Sequence, residues 1–321
     1  MNYKVLITGI NGFVGSHMAE YILEKGHEVY GTIRSRSNLD SISHIKKDLI
    51  LIECELRDSN SVYKLIKEVK PDKIFHLAAQ SFVPTSLNAP LDSLFNNIAL
   101  TVNIFEIVHQ FDIFPRILVV GSCDEYGLVK EDEIPISESN PLRPMSPYAV
   151  SKISQDMLGY QYFKTYGLPI VRTRAFNHTG PRQNETFALS SFAKQIAEIE
   201  NKNKNNIMYV GNLEARKDYL DVRDVVCAYW MALEKCEYGE VYNIASGKAL
   251  RILDYMNILL AYSKSEIEIR PDPKRLRPSE LRLVQGDSSK FREKTGWKPV
   301  NEINQTLYDL LEFWRRKTCK P

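Results

Sequence analysis

Cysteine is scarce in this chain. Its five residues (Cys54, Cys123, Cys227, Cys236 and Cys319) are odd in number and form no C-x-x-C pair. That usage argues for reduced thiols and against a disulfide framework or a zinc site. Six histidines fall into no metal-binding pattern, so no metal is expected. A dominant charge is also missing: 42 basic and 40 acidic side chains leave a net charge of +2, with no basic arm or block to track a phosphate backbone. Nucleic acid is therefore not an expected partner. Apolar runs stay short of the ~18 residues that cross a bilayer. The amino terminus enters "YKVLITG" without the basic and apolar regions of a signal peptide, which makes the cytoplasm the expected compartment, with no membrane partner. No internal repeat or low-complexity tract stands out, and "NKNKNN" at 201 to 206 reads as a solvated loop.

What is present is alternation. With 44% hydrophobic and 26% charged residues, the chain is globular and long enough for two domains of about 150 residues each. "KVLITG", "HEVYGTIR", "LILIECEL", "DKIFHLAA", "RILVVGS" and "LPIVRTR" read as strands, with helical patterns between them. Such βαβ units predict an α/β, doubly wound parallel sheet of the Rossmann type. After Arg174 the texture shifts to the turn-rich "FNHTGPRQNETF", a helix near 187 to 201 and the proline-rich "RPDPKRLRP". We expect residues 1–174, with 221–245 returning to them, to form a dinucleotide-binding domain, and 175–220 with 246–321 a smaller mixed α/β domain.

"VLITGINGFVGSHMAEYILEKG" places Gly9, Gly12 and Gly15 between a strand and an amphipathic helix. Glycines there permit a tight turn and let the helix N–H groups face a pyrophosphate. An acid at the end of the second strand would select the ribose 2′-hydroxyl of NAD(H), whereas "VYGTIRSRSN" offers Arg34 and Arg36, whose forked guanidinium groups match a 2′-phosphate. NADP(H) is the expected cofactor.

In "SPYAVSK", Tyr148 and Lys152 stand four residues apart, on one face of a helix. An ammonium beside a phenol is expected to lower its pKa from about 10 toward working pH. Ser122, just past the fifth strand in "VVGSCDEYG", is placed to hold a substrate oxygen beside the phenol.

The T-G-x-x-G-x-x-G start, "HLAAQ", the serine after the fifth strand and Y-x-x-x-K together resemble the extended short-chain dehydrogenase/reductase family, over nearly the whole chain. The resemblance implies that Ser122 orients a sugar hydroxyl or carbonyl, that Tyr148 is the acid or base, and that Lys152 tunes it and binds the nicotinamide ribose. It also implies a cofactor crevice drawn from Gly9, Asn11, Gly12, Phe13, Val14, Gly15, Arg34, Glu55, Leu56, Leu77, Ala78, Ala79, Gln80 and Asn97. "AAQSFVPTS", "RTRAFNHTGP", "VGNLEARKDYLDVRDVV" and "RLRPSEL" are similar to the branch that acts on GDP-sugars, in stretches shared by its 4,6-dehydratases and its 4-keto-6-deoxymannose reductases. That likeness implies substrate contacts by Ser81, Ser122, Asn177, Arg182, Lys217, Arg277 and Glu280. Both enzymes carry arginine where this chain has Lys217, so Arg216 is a further candidate for the phosphate contact. A homodimer or tetramer paired through helices at 91–110 and 147–166 is implied as well.

Reaction type follows from acid/base demand. Reducing a C4 ketone needs a hydride and one proton, whereas a 4,6-dehydratase must also move protons at C5 and C6 and so needs a further carboxyl group. Those enzymes read glutamate where this chain has Asp124, one methylene shorter. We therefore expect reduction of GDP-4-keto-6-deoxy-D-mannose, with Asp124 as an additional catalytic candidate. The 4,6-dehydratase is the alternative, and a nucleotide-sugar 4-epimerase and a non-catalytic NADP(H)-binding regulator are further ones.

Overall fold

The computed structural model describes residues 2–201, 205–276 and 282–319. The loop expected at 201–206 lies partly outside the described residues, and Arg277 and Glu280 lie wholly outside them. Six strands follow in chain order, β1 (Lys4–Thr8), β2 (Glu28–Ile33), β3 (Ile50–Glu53), β4 (Lys73–His76), β5 (Arg116–Ser122) and β6 (Ile170–Ala175). With Val241–Ile244 added beside β6, they form a seven-stranded sheet in the order β3-β2-β1-β4-β5-β6-Val241–Ile244, and every pairing is parallel. The order reverses between β1 and β4, and in open sheets of this kind the crevice outside the strands' carboxyl ends at that point takes the ligand.

Alternation along each strand builds two cores. Val5, Ile7, Phe75, Leu118 and Val171 pack on one face against α1 (Phe13–Glu24), whereas Leu6, Ile74, Ile117, Val119 and Ile170 pack on the other against α2 (Ser59–Val69). Both faces are covered, which is why the strands read as near-continuous apolar runs. On the second face the short α3 (Val83–Asn88) leads into α4 (Pro90–Gln110), which lies along α5 (Pro147–Tyr166). By length and composition α4 is apolar enough to cross a membrane, although the sequence shows no unbroken apolar run of that length. Its apolar character reflects its packing, because Ile104, Phe105 and Val108 are fully buried in the second core.

A third core joins α6 (Ala188–Glu200) to the helices Ile252–Ala261 and Ile303–Thr318. The helix α7 (Val222–Lys235) packs back on α1, β5 and β6. A small sheet around Arg216–Asp221 links these lobes: it pairs with Asn177–Thr179, Ala249–Arg251 and Leu283–Val284.

The helix that carries the Y-x-x-x-K pair is well delimited. Ser146 caps it by accepting the Ala149 N–H (3.1 Å), Pro147 opens it, and Gly167 closes it at φ 70°. Buried charge fixes it to the sheet. Asp156 on α5 accepts from Arg172 Nη1 (2.5 Å) and from Arg174 Nη2 (2.6 Å), both on β6. Nearby, His76 at the end of β4 bonds the hydroxyls of Thr8 on β1 (2.9 Å) and Thr101 on α4 (3.1 Å).

Two outcomes follow from these buried groups. Asp156→Asn leaves both guanidinium groups short of their partner and lowers the free energy of unfolding by about 3–5 kcal/mol, read by urea denaturation; a parental midpoint would show that the pair does not hold α5. Burial, and then the Lys152 charge, push the pKa of His76 down to about 3 from 6.5. The unfolded chain therefore binds a proton that the folded one refuses, so stability is complete above about pH 6.5 and falls as the pH drops toward 3. His76→Gln flattens that decline in urea titrations at pH 5 and 7, and an unchanged slope would exclude His76 as a source.

Candidate active site

The cleft opens above the carboxyl ends of β1, β4 and β5. Gly9 takes φ +68° and its N–H is held by the Thr32 hydroxyl (3.1 Å). A Cβ on Gly15 would overlap the Gly9 carbonyl oxygen and come within 2.9 Å of the Ile10 Cα, so turn and helix can meet this closely only through glycine. The first helical turn therefore faces the cleft with free backbone donors and no side-chain cap.

A cavity of about 780 Å³ runs from this turn to the far lobe. Of the predicted site residues, Gly9, Gly12, Phe13, Val14, Gly15, Leu77, Ala79, Ser81, Ser122, Asp124, Tyr148, Lys152, Asn177 and Lys217 line it. A second cavity of about 660 Å³ adjoins the end of β2 and is lined by Asn11, Arg34 and Glu55, together with Ser35, Arg36 and Ser37. Others stand one layer back. Leu56 is buried in the core, the Ala78 backbone lies under Gly9, and Asn97 holds the Gln80 backbone at both its carbonyl (3.0 Å) and its N–H (2.8 Å).

Two predicted substrate contacts, Arg182 and Arg216, do not line the cleft. Arg182 donates Nη2 to Glu20 (2.5 Å) and to His17 Nδ1 (2.6 Å), both on α1, and so ties its loop to that helix without lining the cleft. Arg216 is exposed on its strand, whose alternation turns Lys217 into the cavity.

Around the reacting position, Tyr148 and Ser122 line the same cleft, and the Ser122 hydroxyl accepts the Asp124 N–H (3.2 Å). Lys152 is 5% exposed and donates Nζ to the Val120 carbonyl (2.7 Å). The electrostatics differ from the sequence expectation. Burial, and then the negative charge of Asp124, raise the Tyr148 pKa above its usual 10. Burial also pushes Lys152 down to about 8. The ammonium is anchored on a main-chain carbonyl rather than on the phenol, and the desolvation cost of a phenolate here outweighs its pull. Tyr148 is thus held as the neutral acid, a form suited to giving a proton.

Several lining residues carried no sequence signal. Lys317, near the carboxyl end of the last helix, reaches the cavity of Arg34 and Arg36. The rings of Phe82 and Phe187 meet edge to face (5.8 Å between centroids) along the main cleft, and Met145, Leu87 and Leu276 add apolar surface there. The Tyr229 hydroxyl, fully buried, has no hydrogen-bond partner among the described residues, and Tyr229 lines the same cleft. Such placements depend on elements far apart in sequence and follow no local pattern.

Comparison with known proteins agrees with this geometry. The family model described as GDP-mannose 4,6 dehydratase matches residues 6–310. GDP-6-deoxy-D-mannose reductase of Pseudomonas aeruginosa is 33% identical over 317 residues, 99% of each chain. GDP-mannose 4,6-dehydratase of Yersinia enterocolitica is 32% identical over 348 aligned positions, covering 96% of this chain and 92% of that protein. The solved structure of RMD from Pseudomonas aeruginosa complexed with NADPH superposes with a TM-score of 0.85 at 32% identity, over 98% of this chain and 99% of that one. With the parallel sheet, the glycine turn and the Ser-Tyr-Lys set all in place, the chain belongs to the GDP-mannose 4,6-dehydratase family of the extended short-chain dehydrogenases/reductases.

Proposed function

We propose that this protein uses NADPH to reduce the C4 ketone of a GDP-4-keto-6-deoxy-hexose, GDP-4-keto-6-deoxy-D-mannose being the substrate of choice. The observation that carries the reading is that Ser122, Tyr148 and Lys152 line one cleft of about 780 Å³ together with the glycine turn of the first helix. The glycine turn fits a pyrophosphate, and the cavity of Arg34, Arg36 and Lys317 fits a 2′-phosphate. When bound, NADPH supplies the hydride to C4. Ser122 holds the carbonyl oxygen, and Tyr148 donates its proton as negative charge grows there. Lys152 would meet the nicotinamide ribose, and Asn177 and Lys217, which line the same cleft, would take the diphosphate of the sugar nucleotide. The apolar surface of α4 and α5, where Leu91 is 80% and Phe95 66% exposed, supports pairing with a second copy.

One feature favours a second reading. The Asp124 carboxylate shares the cleft and acts on Tyr148, so a further acid is available for the C5 and C6 steps of a 4,6-dehydratase. GDP-mannose incubated with the protein and NADP⁺ separates the two, because only the dehydratase forms a keto sugar from it.

Purified protein mixed with NADPH and GDP-4-keto-6-deoxy-D-mannose consumes the absorbance of the reduced nicotinamide. Tyr148→Phe slows this by about 10²–10⁴-fold, the usual weight of a positioned general acid; parental turnover by that variant, or no absorbance loss with the parent, excludes the reductase. For the cofactor, Arg34→Ala or Lys317→Ala weakens NADPH binding about tenfold or more, as expected for losing a charge-assisted contact, and leaves NADH binding unchanged. Fluorescence titration of the free enzyme reads this, and an equal loss for both dinucleotides would place the cations away from the 2′-phosphate.

A further inference from the structure

Tyr229 sits in the middle of α7 and is fully buried, yet its hydroxyl has no hydrogen-bond partner among the described residues. Burying a hydroxyl unpaired costs its whole desolvation, so a group of this kind calls for a partner from outside the chain.

Helix direction fixes where the hydroxyl goes. α7 begins beside Gly180, just past the carboxyl end of β6, where an added Cβ would come within 2.9 Å of the Val222 side chain. It ends at the amino ends of β4 and β5, where Glu234 accepts from Lys73 (2.5 Å) and the Leu233 carbonyl accepts from Arg116 (3.3 Å). The helix therefore runs against the strands. Helical side chains lean toward the helix N-terminus, so the Tyr229 ring rises toward the strands' carboxyl ends, where the cleft lies. Tyr229 accordingly lines the cleft, and Val14, Leu77, Val120 and Ala175 line it too from the same apolar core.

We propose that Tyr229 holds the nicotinamide end of the bound dinucleotide, its hydroxyl hydrogen-bonding the carboxamide group. The inference deepens the proposed function and rests on it only for the dinucleotide. The carbonyl of Val120 accepts Lys152 Nζ (2.7 Å), so the β5 end of this apolar floor is the end at which the catalytic lysine stands. The donors suited to a pyrophosphate are elsewhere, on the uncapped first turn of α1. A pyrophosphate charge set among these apolar side chains would be costly, whereas a neutral carboxamide is not. That group offers both a carbonyl and an amino partner, and a hydroxyl can serve either. Fixing the carboxamide fixes the rotation of the ring to which it is attached, and with it the direction in which the hydride leaves.

Calorimetric titration of the parent and of Tyr229→Phe with NADPH and with 2′-phospho-ADP-ribose, the same molecule without its nicotinamide, tests the assignment. The variant binds NADPH about tenfold more weakly and 2′-phospho-ADP-ribose as tightly as the parent does. Urea denaturation without nucleotide gives a second readout: the hydroxyl makes no bond within the protein, so the variant keeps the parental midpoint or exceeds it. Parental affinity for NADPH overturns the proposal, the hydroxyl then being served by a trapped water. An equal loss for both ligands overturns it as well, because the contact would then lie on the pyrophosphate or adenosine half. A lowered midpoint, or a variant that does not fold, does the same by giving the hydroxyl a structural role. Selective loss in a protein that binds NADPH but reduces no keto sugar upholds the proposal and sinks only the assigned reaction, whereas a parent that binds neither ligand sinks the cofactor assignment and this contact with it.

Discussion

The grip of Arg174 on Asp156 is the interaction on which the site depends most. It joins β6 to the helix that carries Tyr148 and Lys152, inside a region almost closed to water. Charges buried in this way are costly unless each has its partner and its hydrogen bonds. Here most of those needs are met: Arg172 shares the same carboxylate, although its Nε has no partner among the described residues, and Arg174 extends through Tyr126 to Asn243 on the last strand of the sheet. Helix, strands and serine turn are therefore held in one register, and the positions of the reacting groups derive from a network that never touches substrate.

Around that frame the protein uses burial to set protonation. The phenol is kept neutral by the loss of water and by Asp124, while Lys152 is drawn down toward neutrality by the same loss of water. The neutral phenol is the form from which a proton can pass to a developing alkoxide. Arg182 shows the reverse economy of charge: a residue expected on the substrate instead braces the start of the far lobe against α1, where Glu20 and His17 receive it.

Much of the fold was legible because its signals are local. Each of the six strand patterns coincides with an observed strand, since strands covered on both faces must be apolar throughout. The glycine turn and the Y-x-x-x-K helix were legible for the same reason: a tight turn and a four-residue spacing on one helical face are properties of short segments. The direction of the Tyr148 shift was not, because burial is set by the whole cleft, and the Lys152 ammonium faces a carbonyl that the spacing cannot reveal. Nor could Arg182 be placed, because its partner Glu20 lies on a helix 162 residues away.

The sequence by itself determined the parallel sheet, the phosphate-facing turn and the serine, tyrosine and lysine of the site, because backbone sterics and side-chain periodicity act over a few residues. Tertiary structure alone decided which cations face the cavities, which hydroxyl lies unpaired beneath the cleft and in what protonation state the phenol is held. Those outcomes depend on solvent exclusion and charge proximity, which exist only once distant elements have packed together.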